Sequence, residues 1–231
     1  MRILLIGHGR MGRLVESLAA SQGAEIAGIV TGRSGPESIE GDFGPIDVAI
    51  DFSLGEAVPA NLARLAARHT NVVIGTTGWQ GQEAGLRAVA AASGIGVLAS
   101  ANFALGMQAF RMVAEEAARR FAAIGDVGAW IHEAHHAAKK DAPSGTALML
   151  RDAMIGAGYH RTIDVSSTRA GSIPGTHTIG FDGPSDTVTL THTVRDRAVF
   201  ARGAIAAARW LIGRQGWFTL EDMLGGGQIL R

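Results

Sequence analysis

The sequence predicts an α/β protein with a Rossmann-type doubly wound parallel sheet and a second α+β domain that carries a mixed, largely antiparallel sheet. Three observations predict this fold. Short apolar runs alternate with longer amphipathic runs through the first half of the chain. A glycine-rich turn directly follows the first apolar run, and apolar residues later alternate with a period of two. These patterns are typical of βαβ units followed by a half-exposed sheet.

The first half of the chain alternates strands with helices. Short runs of apolar and β-branched residues predict buried parallel strands, at 3–6, 25–30, 48–52, 72–74 and 96–99. Helical periodicity separates most of these runs, over 11–20, 57–69 and 83–92. Because parallel strands need crossover connections, we expect helices on both faces of the sheet.

The second half predicts a different arrangement. Residues 106–123 repeat apolar side chains every three or four positions, which indicates an amphipathic helix. Strand-like segments follow, at 127–131, 163–168, 176–181 and 187–194. A final helix over 202–212 could return to the first domain. We therefore expect a first domain of 1–104 with 198–231, and a second domain of 105–197.

Composition excludes several classes of function. Lys plus Arg and Asp plus Glu both number 21, so no overall positive field favours nucleic acid or an anionic membrane surface. The chain has no cysteine, which removes disulfides, thiolate metal sites and a cysteine nucleophile. Apolar runs are too short for a signal peptide or a membrane span. We expect a soluble, cytoplasmic protein whose chemistry depends on His, Lys, carboxylates, hydroxyls or a cofactor.

The turn after the first strand has the spacing of a dinucleotide fingerprint. Its six residues are Gly7, His8, Gly9, Arg10, Met11 and Gly12. Gly7 permits the tight turn, Gly9 allows the backbone to approach a pyrophosphate, and Gly12 allows close packing of helix on strand. The phosphate would then meet the positive end of the helix dipole. The pattern alone is weak, but its place between a strand and a helix favours nucleotide binding over a plain turn.

The end of the second strand favours NADPH over NADH. An NAD-binding protein usually has an acidic residue there, which accepts a hydrogen bond from the ribose 2′-hydroxyl. This chain has Thr31, Gly32, Arg33 and Ser34, and Arg33 could pair with a 2′-phosphate. A solvated turn arginine is the alternative, so NADH remains the second choice.

Two further loops follow predicted strands and are candidates for the nicotinamide half of the cofactor. In an open parallel sheet, ligands bind beyond the carboxyl ends of the strands. The loops contribute Gly75, Thr76 and Thr77, and Ser100, Ala101, Asn102 and Phe103. By contrast, Ser53 and Glu56 have the spacing of a helix capping box, so a structural role is expected for them.

The densest polar run, residues 132–146, admits two interpretations. Residues 132–136 match H-E-x-x-H, but that zinc motif needs a helix. A strand precedes this run, Pro143 closes it and no convincing third ligand follows, so we expect no metal site. In the second interpretation a strand ends near Glu133, and a loop then displays His135, His136 and Lys139.

In that second interpretation the loop leads into an anion-binding helix start. Ser144 is a good N-cap, and the N–H groups of Gly145 and Thr146 would then point outward at the positive end of the helix dipole. Lys139 adds a full positive charge, and a histidine can exchange a proton near neutral pH. The site is therefore expected to take an anionic substrate. A solvated loop with a capped helix is the alternative, which leaves the histidines and the lysine unexplained.

Taken together, these motifs resemble the dihydrodipicolinate reductase family. The most specific match is the run 133–147, EAHHAAKKDAPSGTA. Supporting matches lie throughout the chain, at 7–13, 51–53, 75–78, 102–103, 169–171, 175–178 and 203–211.

The resemblance implies a reductase that uses NADPH or NADH to reduce a cyclic imine dicarboxylate in diaminopimelate and lysine biosynthesis. It implies that His135 donates a proton and that Lys139 assists as a second acid or an electrostatic anchor. His136 with Ser144, Gly145 and Thr146 would hold the substrate carboxylates. The second domain would bind substrate and assemble a homotetramer through its sheet.

Two rival functions stay open at this stage. The chain could be another two-domain nicotinamide-dependent dehydrogenase, although residues 135–146 argue against that assignment. It could also be a non-catalytic NADPH sensor, which would bind the cofactor without turnover.

Overall fold

The computed structural model describes residues 1–32 and 36–225. The chain divides into two compact units, and each is described separately. Unit 1 comprises Met1–Leu105 and the chain from Ala198 onward, and unit 2 comprises Gly106–Arg197. No helix in the described part of the chain is long and apolar enough to span a membrane.

Unit 1 is built on a six-stranded sheet in which every paired strand runs parallel. Its strands are β1 (Arg2–Ile6), β2 (Glu25–Val30), β3 (Val48–Asp51), β4 (Val72–Ile74), β5 (Gly96–Ala99) and β10 (Gly216–Phe218). Their spatial order is β10-β5-β4-β3-β1-β2. From β1 the chain adds β2 on one side and β3, β4 and β5 on the other. The point between β1 and β3 is therefore the topological switch point, where doubly wound folds bind ligands.

Helices cover both faces of this sheet, as the sequence predicts. They are α1 (Arg10–Ala19), α2 (Val58–Ala67), α3 (Glu83–Ser93), α6 (Ala198–Leu211) and the short α7 (Leu220–Met223). Because side chains alternate along β1, Ile3 and Leu5 join the core under α1 and α6. Leu4 and Ile6 join the opposite core under α2 and α3. The sheet is thus buried on both sides, which explains the almost uninterrupted apolar strands.

Unit 2 packs helices on a four-stranded mixed sheet. Its elements are α4 (Leu105–Ala122, which starts at the unit boundary), β6 (Gly128–His135), α5 (Gly145–Gly156), β7 (Ile163–Arg169), β8 (Thr176–Asp182) and β9 (Thr187–Thr193). The strand order is β7-β6-β8-β9, with β6 parallel to β7 and the other pairs antiparallel. Phe121 of α4 stacks on Phe181 of β8 at 4.4 Å between ring centroids. The fold class expected from the sequence is confirmed.

Two local expectations are wrong, and one strand has no counterpart in the prediction. β6 continues to His135 instead of ending near Glu133, because its last residue still pairs with Arg169 of β7. The strand β10 was not foreseen, since three residues carry too little periodicity to be recognised. The capping box at Ser53 and Glu56 does not form, because Ser53 is hydrogen-bonded to Asp51 and Asn61 instead.

Candidate active site

The glycine turn after β1 is shaped by close backbone contacts. Gly7 has a φ of +89°, and a Cβ there would lie 2.4 Å from the carbonyl oxygen of Phe52. A Cβ on Gly12 would lie 2.1 Å from the carbonyl oxygen of Gly7. At Gly9 a Cβ would meet nothing within 4 Å. Gly7 and Gly12 therefore allow the turn to close, while Gly9 leaves open backbone at the start of α1 that an anion could approach.

A cavity of about 300 Å³ lies at the switch point, beside this turn. It is lined by Ile6, Gly7, His8, Gly9, Val30, Thr31, Gly32, Phe52, Ser53, Leu54, Ala57 and Asn61. The lining combines exposed glycine backbone with apolar side chains, which suits a nucleotide. Two residues of the segment that is expected to contact a 2′-phosphate, Thr31 and Gly32, line this cavity. Arg33, which belongs to the same segment, lies outside the described residues.

The other residues of the turn have distinct surroundings. Nε2 of His8 lies 2.7 Å from a carboxylate oxygen of Glu16. Arg10 begins α1 and is exposed, so its guanidinium can reach an anion at the helix start. Met11 packs partly against the core under α1. Of these three predicted cofactor contacts, Met11 is the one whose side chain has a packing role.

Asp51, at the end of β3, organises the neighbouring loops. Its buried carboxylate accepts hydrogen bonds from the backbone of Ser53 at 2.8 Å, from Asn61 Nδ2 at 2.9 Å and from Thr76 Oγ1 at 2.9 Å. Ser53 Oγ accepts from Asn61 Nδ2 at 3.2 Å, and the short helix that follows has Leu54 at its N-cap with no side-chain cap. This network explains why the capping box at Ser53 fails.

In the first of the two loops predicted to face the nicotinamide, one threonine side chain is buried and the other is exposed. Thr76 is buried and its hydroxyl is bonded to Asp51, whereas Thr77 is exposed. A Cβ on Gly75 would lie 2.1 Å from the ring of Phe52, so this loop requires a glycine.

The loop after β5 is held by its own polar groups. Ser100 Oγ donates to the carbonyl of Asn102, and the backbone N–H of Asn102 donates to Ser100 Oγ. Ala101 is exposed, and Phe103 is 2% exposed and packs edge to face on Phe52. If this loop contacts a cofactor, Phe103 does so through its backbone.

In unit 2, sheet register brings the polar residues of three strands together. Glu133 of β6 pairs with Ser167 of β7 and with His177 of β8, and His135 pairs with Arg169. Paired residues in adjacent strands share a face, and so do residues two apart in one strand. Glu133, His135, Arg169 and His177 are therefore neighbours on the face that also buries Ile131.

Glu133 is the centre of this cluster and is completely buried. Its two carboxylate oxygens receive a bidentate pair from Arg169, at 2.6 and 2.9 Å. The same oxygens accept the backbone N–H of Ser144 at 3.1 Å and face Nδ1 of His135 at 2.5 Å. Burial alone would raise the pKa of this carboxyl, but the hydrogen bonds, led by those from Arg169, lower it to about 2. Glu133 is thus ionised throughout the physiological range.

Two side-chain contacts hold His135. Its Nδ1 faces Glu133, and its ring packs edge to face on His177 at 5.1 Å between centroids. The opposite ring edge faces Gly175, where a Cβ would approach Nε2 to 3.1 Å, so the lack of a side chain leaves this edge uncrowded. The side chain of His135 is 12% exposed. A ring fixed in this way can present one nitrogen reproducibly.

The helix start at Ser144 is formed as the sequence predicts. Ser144 Oγ accepts the backbone N–H of Ala147 at 3.1 Å, which confirms the N-cap. Ser144 itself is 2% exposed, whereas Gly145 is exposed and a Cβ there would meet nothing within 4 Å. Thr146 follows in the first turn of α5. Gly145 and Thr146 therefore offer the accessible backbone of this helix start, and Ser144 acts mainly through the cap.

His177 of β8 contacts the same helix start. Its Nε2 lies 3.1 Å from Ser144 Oγ, and its buried Nδ1 finds no hydrogen-bond partner among the described residues. Burial, followed by the nearby charge of His135, lowers the pKa of His177 to about 4. Because an unpartnered buried N–H is costly, we infer that neutral His177 donates from Nε2 to Ser144.

Lys139 and His136 lie in the turn between β6 and α5. Lys139 Nζ donates to both carboxylate oxygens of Asp141, at 2.8 and 2.9 Å, and its hydrogen bonds lower the pKa of Asp141. His136 lines a second cavity of about 540 Å³ together with Ala137, Ala138, Gly171, Ser172, Pro174, Asp196 and Arg197. His136 thus borders open space just beyond the end of β6.

The H-E-x-x-H residues do not form the zinc motif. His132 and Glu133 are in the strand β6, where His132 Nδ1 lies 2.9 Å from Ser166 Oγ, and His136 follows the strand. Successive strand residues point to opposite faces, so His132 and Glu133 do not converge.

Sequence reasoning did not give Glu133, Arg169 or His177 a role. The signal that could have found Glu133 is the two-residue period of β6, because an acidic residue lies on the face that carries Ile131 and His135. The roles of Arg169 and His177 depend on register between strands far apart in sequence, which no local pattern encodes.

Comparison with known proteins gives a consistent result over both units. Residues 1–103 match the family model of the dihydrodipicolinate reductase N-terminus, and residues 106–224 match that of the C-terminus. The relatives include a 4-hydroxy-tetrahydrodipicolinate reductase of Xanthomonas euvesicatoria pv. vesicatoria, 38% identical over 97% of this chain and 98% of the relative. Another, from Christiangramia forsetii, is 32% identical with the same coverage.

Solved structures show the same fold. A dipicolinate-bound dihydrodipicolinate reductase from Paenisporosarcina sp. TG-14 superposes with a TM-score of 0.82, at 21% identity, over 96% of this chain and 99% of that one. A probable dehydrogenase from Thermotoga maritima superposes with a TM-score of 0.60, at 12% identity, over 96% and 92%. The two family models, the full-length relatives and the two-unit fold agree, and the chain belongs to the dihydrodipicolinate reductase family of pyridine-nucleotide-dependent oxidoreductases.

Proposed function

We propose that this protein reduces 4-hydroxy-tetrahydrodipicolinate, or the dihydrodipicolinate derived from it, to tetrahydrodipicolinate in diaminopimelate and lysine biosynthesis. It uses NADPH in preference to NADH, and it acts in the cytoplasm as a homotetramer. Full-length relatives of this name at 38% and 32% identity support the reaction.

The observation that carries the proposal is the cluster around Glu133. It holds His135 beside the capped start of α5, so a proton donor and an anion-binding helix end are built from one set of hydrogen bonds. A reductase acting on an anionic dicarboxylate needs both features. A protein that only sensed NADPH would need neither.

The proposed roles follow from these positions. When bound, the nicotinamide supplies a hydride to the conjugated imine. Gly7, Gly9 and Gly12 hold the pyrophosphate at the start of α1, and exposed Arg10 and Thr77 are candidates for further polar contacts.

On the substrate side, Gly145 and Thr146 bind one carboxylate with backbone N–H groups, and His136 contributes a further contact. Lys139 stabilises the charge that develops on the substrate, since a fixed cation in a partly dry site is worth more than one in water. Asp141 holds the lysine ammonium in place until the substrate arrives.

The deciding experiment is oxidation of NADPH, followed at its absorbance maximum, with substrate generated enzymatically in the cuvette. We expect turnover that depends on substrate, with a higher kcat/KM for NADPH than for NADH. Binding of NADPH without turnover would overturn the reductase assignment and favour a sensor. A higher kcat/KM for NADH would overturn only the cofactor preference and the role proposed for Arg33.

A further inference from the structure

We propose that Glu133 is a positioning residue that keeps the proton on Nδ1 of His135, so that Nε2 is the atom that delivers the proton to the substrate. This inference rests on the proposed function, in which His135 is the proton donor, and it names the atom and the group that selects it. Glu133 is part of the motif at residues 133–147, but the sequence alone gives it no role.

The first argument is the set of donors around the carboxylate. Arg169 donates to both oxygens, and Ser144 N–H donates to Oε1. A carboxylate that accepts from several donors is ionised and carries no hydrogen of its own. The proton in the 2.5 Å contact with His135 must therefore be on Nδ1. In neutral imidazole this leaves Nε2 without a hydrogen.

The second argument is the space around Nε2. Gly175 has a φ of +142°, and a Cβ there would lie 3.1 Å from Nε2 and 3.3 Å from Cδ2 of His135. The absence of a side chain therefore leaves the Nε2 edge of the ring uncrowded. His177 packs on the ring without bonding this nitrogen, because its Nε2 lies 3.1 Å from Ser144 Oγ and its Nδ1 has no hydrogen-bond partner among the described residues.

The third argument is that one carboxylate fixes two parts of the site. Glu133 Oε1 holds the backbone of Ser144, which is the N-cap of α5, while Oε2 holds His135. The distance between the proton donor and the helix start is thereby set by a single rigid group. Arg169 prevents the carboxylate from rotating, since its two donors address both oxygens.

The proton balance follows directly. The protonated ring releases its Nε2 proton to the substrate atom that holds the electron pair left by hydride addition. The ring returns to its neutral form with Nδ1–H still bonded to Glu133. Solvent then restores the Nε2 proton before the next turnover.

The first test measures the tautomer of His135 by ¹⁵N NMR in the wild-type protein, with His135→Asn used to assign its signals. We expect a protonated Nδ1 and an unprotonated Nε2 in the neutral ring. A neutral ring that carries its proton on Nε2 would overturn the inference. This measurement needs no activity, so it stands even if the proposed reaction is not observed.

The second test is Glu133→Gln, with Glu116→Gln as the control. A glutamine is neutral and keeps one acceptor oxygen. With its NH₂ at the Oε2 position, Nδ1 of His135 loses its acceptor, and with its NH₂ at the Oε1 position, the N–H groups of Ser144 and Arg169 lose theirs. In either orientation the anion that fixes the tautomer is gone. Glu116 undergoes the same chemical change on the exposed surface of α4, where it pairs with Arg119 and Arg120.

We expect Glu133→Gln to lower kcat by about 10²-fold, the contribution of one positioned general acid. The KM for NADPH should change far less, because Glu133 acts on the proton transfer and on the start of α5. Glu116→Gln should behave as wild type. An unchanged kcat in folded Glu133→Gln would overturn the inference while leaving the reductase assignment intact, and an inactive wild type would overturn the reductase assignment instead.

Discussion

His135 and Glu133 lie two positions apart on one strand, and Nδ1 of the histidine is 2.5 Å from a carboxylate oxygen of the glutamate. The glutamate is completely buried, so its charge must be met by neighbouring donors. Arg169 and the backbone N–H of Ser144 donate hydrogen bonds to its carboxylate. The cluster therefore joins three strands and a helix start around one charge.

Loss of Arg169 should destabilise unit 2. Arg169→Met leaves the Glu133 carboxylate buried with its main partner gone, and removing one member of a buried pair is strongly unfavourable. We expect the midpoint of urea unfolding to fall well below that of wild type. The double variant Glu133→Gln/Arg169→Met should recover part of the loss, because it removes the buried charge as well.

The control for this prediction is Arg151→Met. Arg151 pairs with Asp152 on the surface of α5 at 2.9 Å, and the two side chains are 39% and 64% exposed. Surface pairs contribute little, so the unfolding midpoint should stay near that of wild type. An equal effect of the two arginine substitutions would show that Glu133 does not depend on Arg169.

His177 should make stability depend on pH between about 6.5 and 4. Its pKa is lowered from 6.5 to about 4 in the folded protein, so the unfolded chain binds a proton first as the pH falls. Stability is therefore full above pH 6.5 and decreases as the pH falls towards 4, by about 3 kcal/mol in total. Urea unfolding across this range should show a shallower decrease in His177→Gln. His160→Gln, an exposed site, should keep the wild-type slope.

The glycine turn allows binding and folding to be separated. Gly12→Ala places a Cβ 2.1 Å from the carbonyl of Gly7, so it should lower stability. Gly9→Ala meets no protein atom within 4 Å, so it should fold as wild type but bind NADPH more weakly in a fluorescence titration. Gly85→Ala, on the exposed side of α3, should raise stability by up to about 1 kcal/mol and leave NADPH affinity unchanged. Wild-type affinity in Gly9→Ala would remove the turn from the cofactor site.

Lys139 should act on the reaction more than on folding. Lys139→Met removes the charge but keeps much of the aliphatic stem, and we expect kcat to fall about 10²-fold in the NADPH oxidation assay. The adjacent Lys140→Met provides the control, because Lys140 is exposed and lies in the same turn. Equal effects at the two positions would indicate a general electrostatic field instead of a specific anchor.

Much of the fold can be predicted because it depends on local patterns. The periodicity of 106–123 matches α4 within a residue, and the apolar runs of the first half match β1 to β5. The N-cap at Ser144 is also predictable, since a serine before a helical pattern has few other uses. By contrast, Ser53 has an equally good capping pattern but caps no helix. Its N–H donates to Asp51, and its hydroxyl oxygen accepts a hydrogen bond from Asn61.

The candidate site is less predictable because its central contacts are not local. Residue type suggests His135, His136 and Lys139 as candidates, and the resemblance to the family implies the roles of His135 and Lys139. The partner of His135, however, depends on how far β6 extends. That extension is set by pairing with Arg169, thirty-four positions along the chain from His135. Periodicity within one strand cannot reveal such a partner.

The central claim is that His135 delivers the proton from this cluster. The most direct measurement compares kcat of His135→Asn with wild type in the NADPH oxidation assay, together with the Kd of each protein for NADPH. We predict that kcat falls by about 10²-fold or more while the Kd for NADPH is unchanged. A wild-type kcat in His135→Asn would contradict the account.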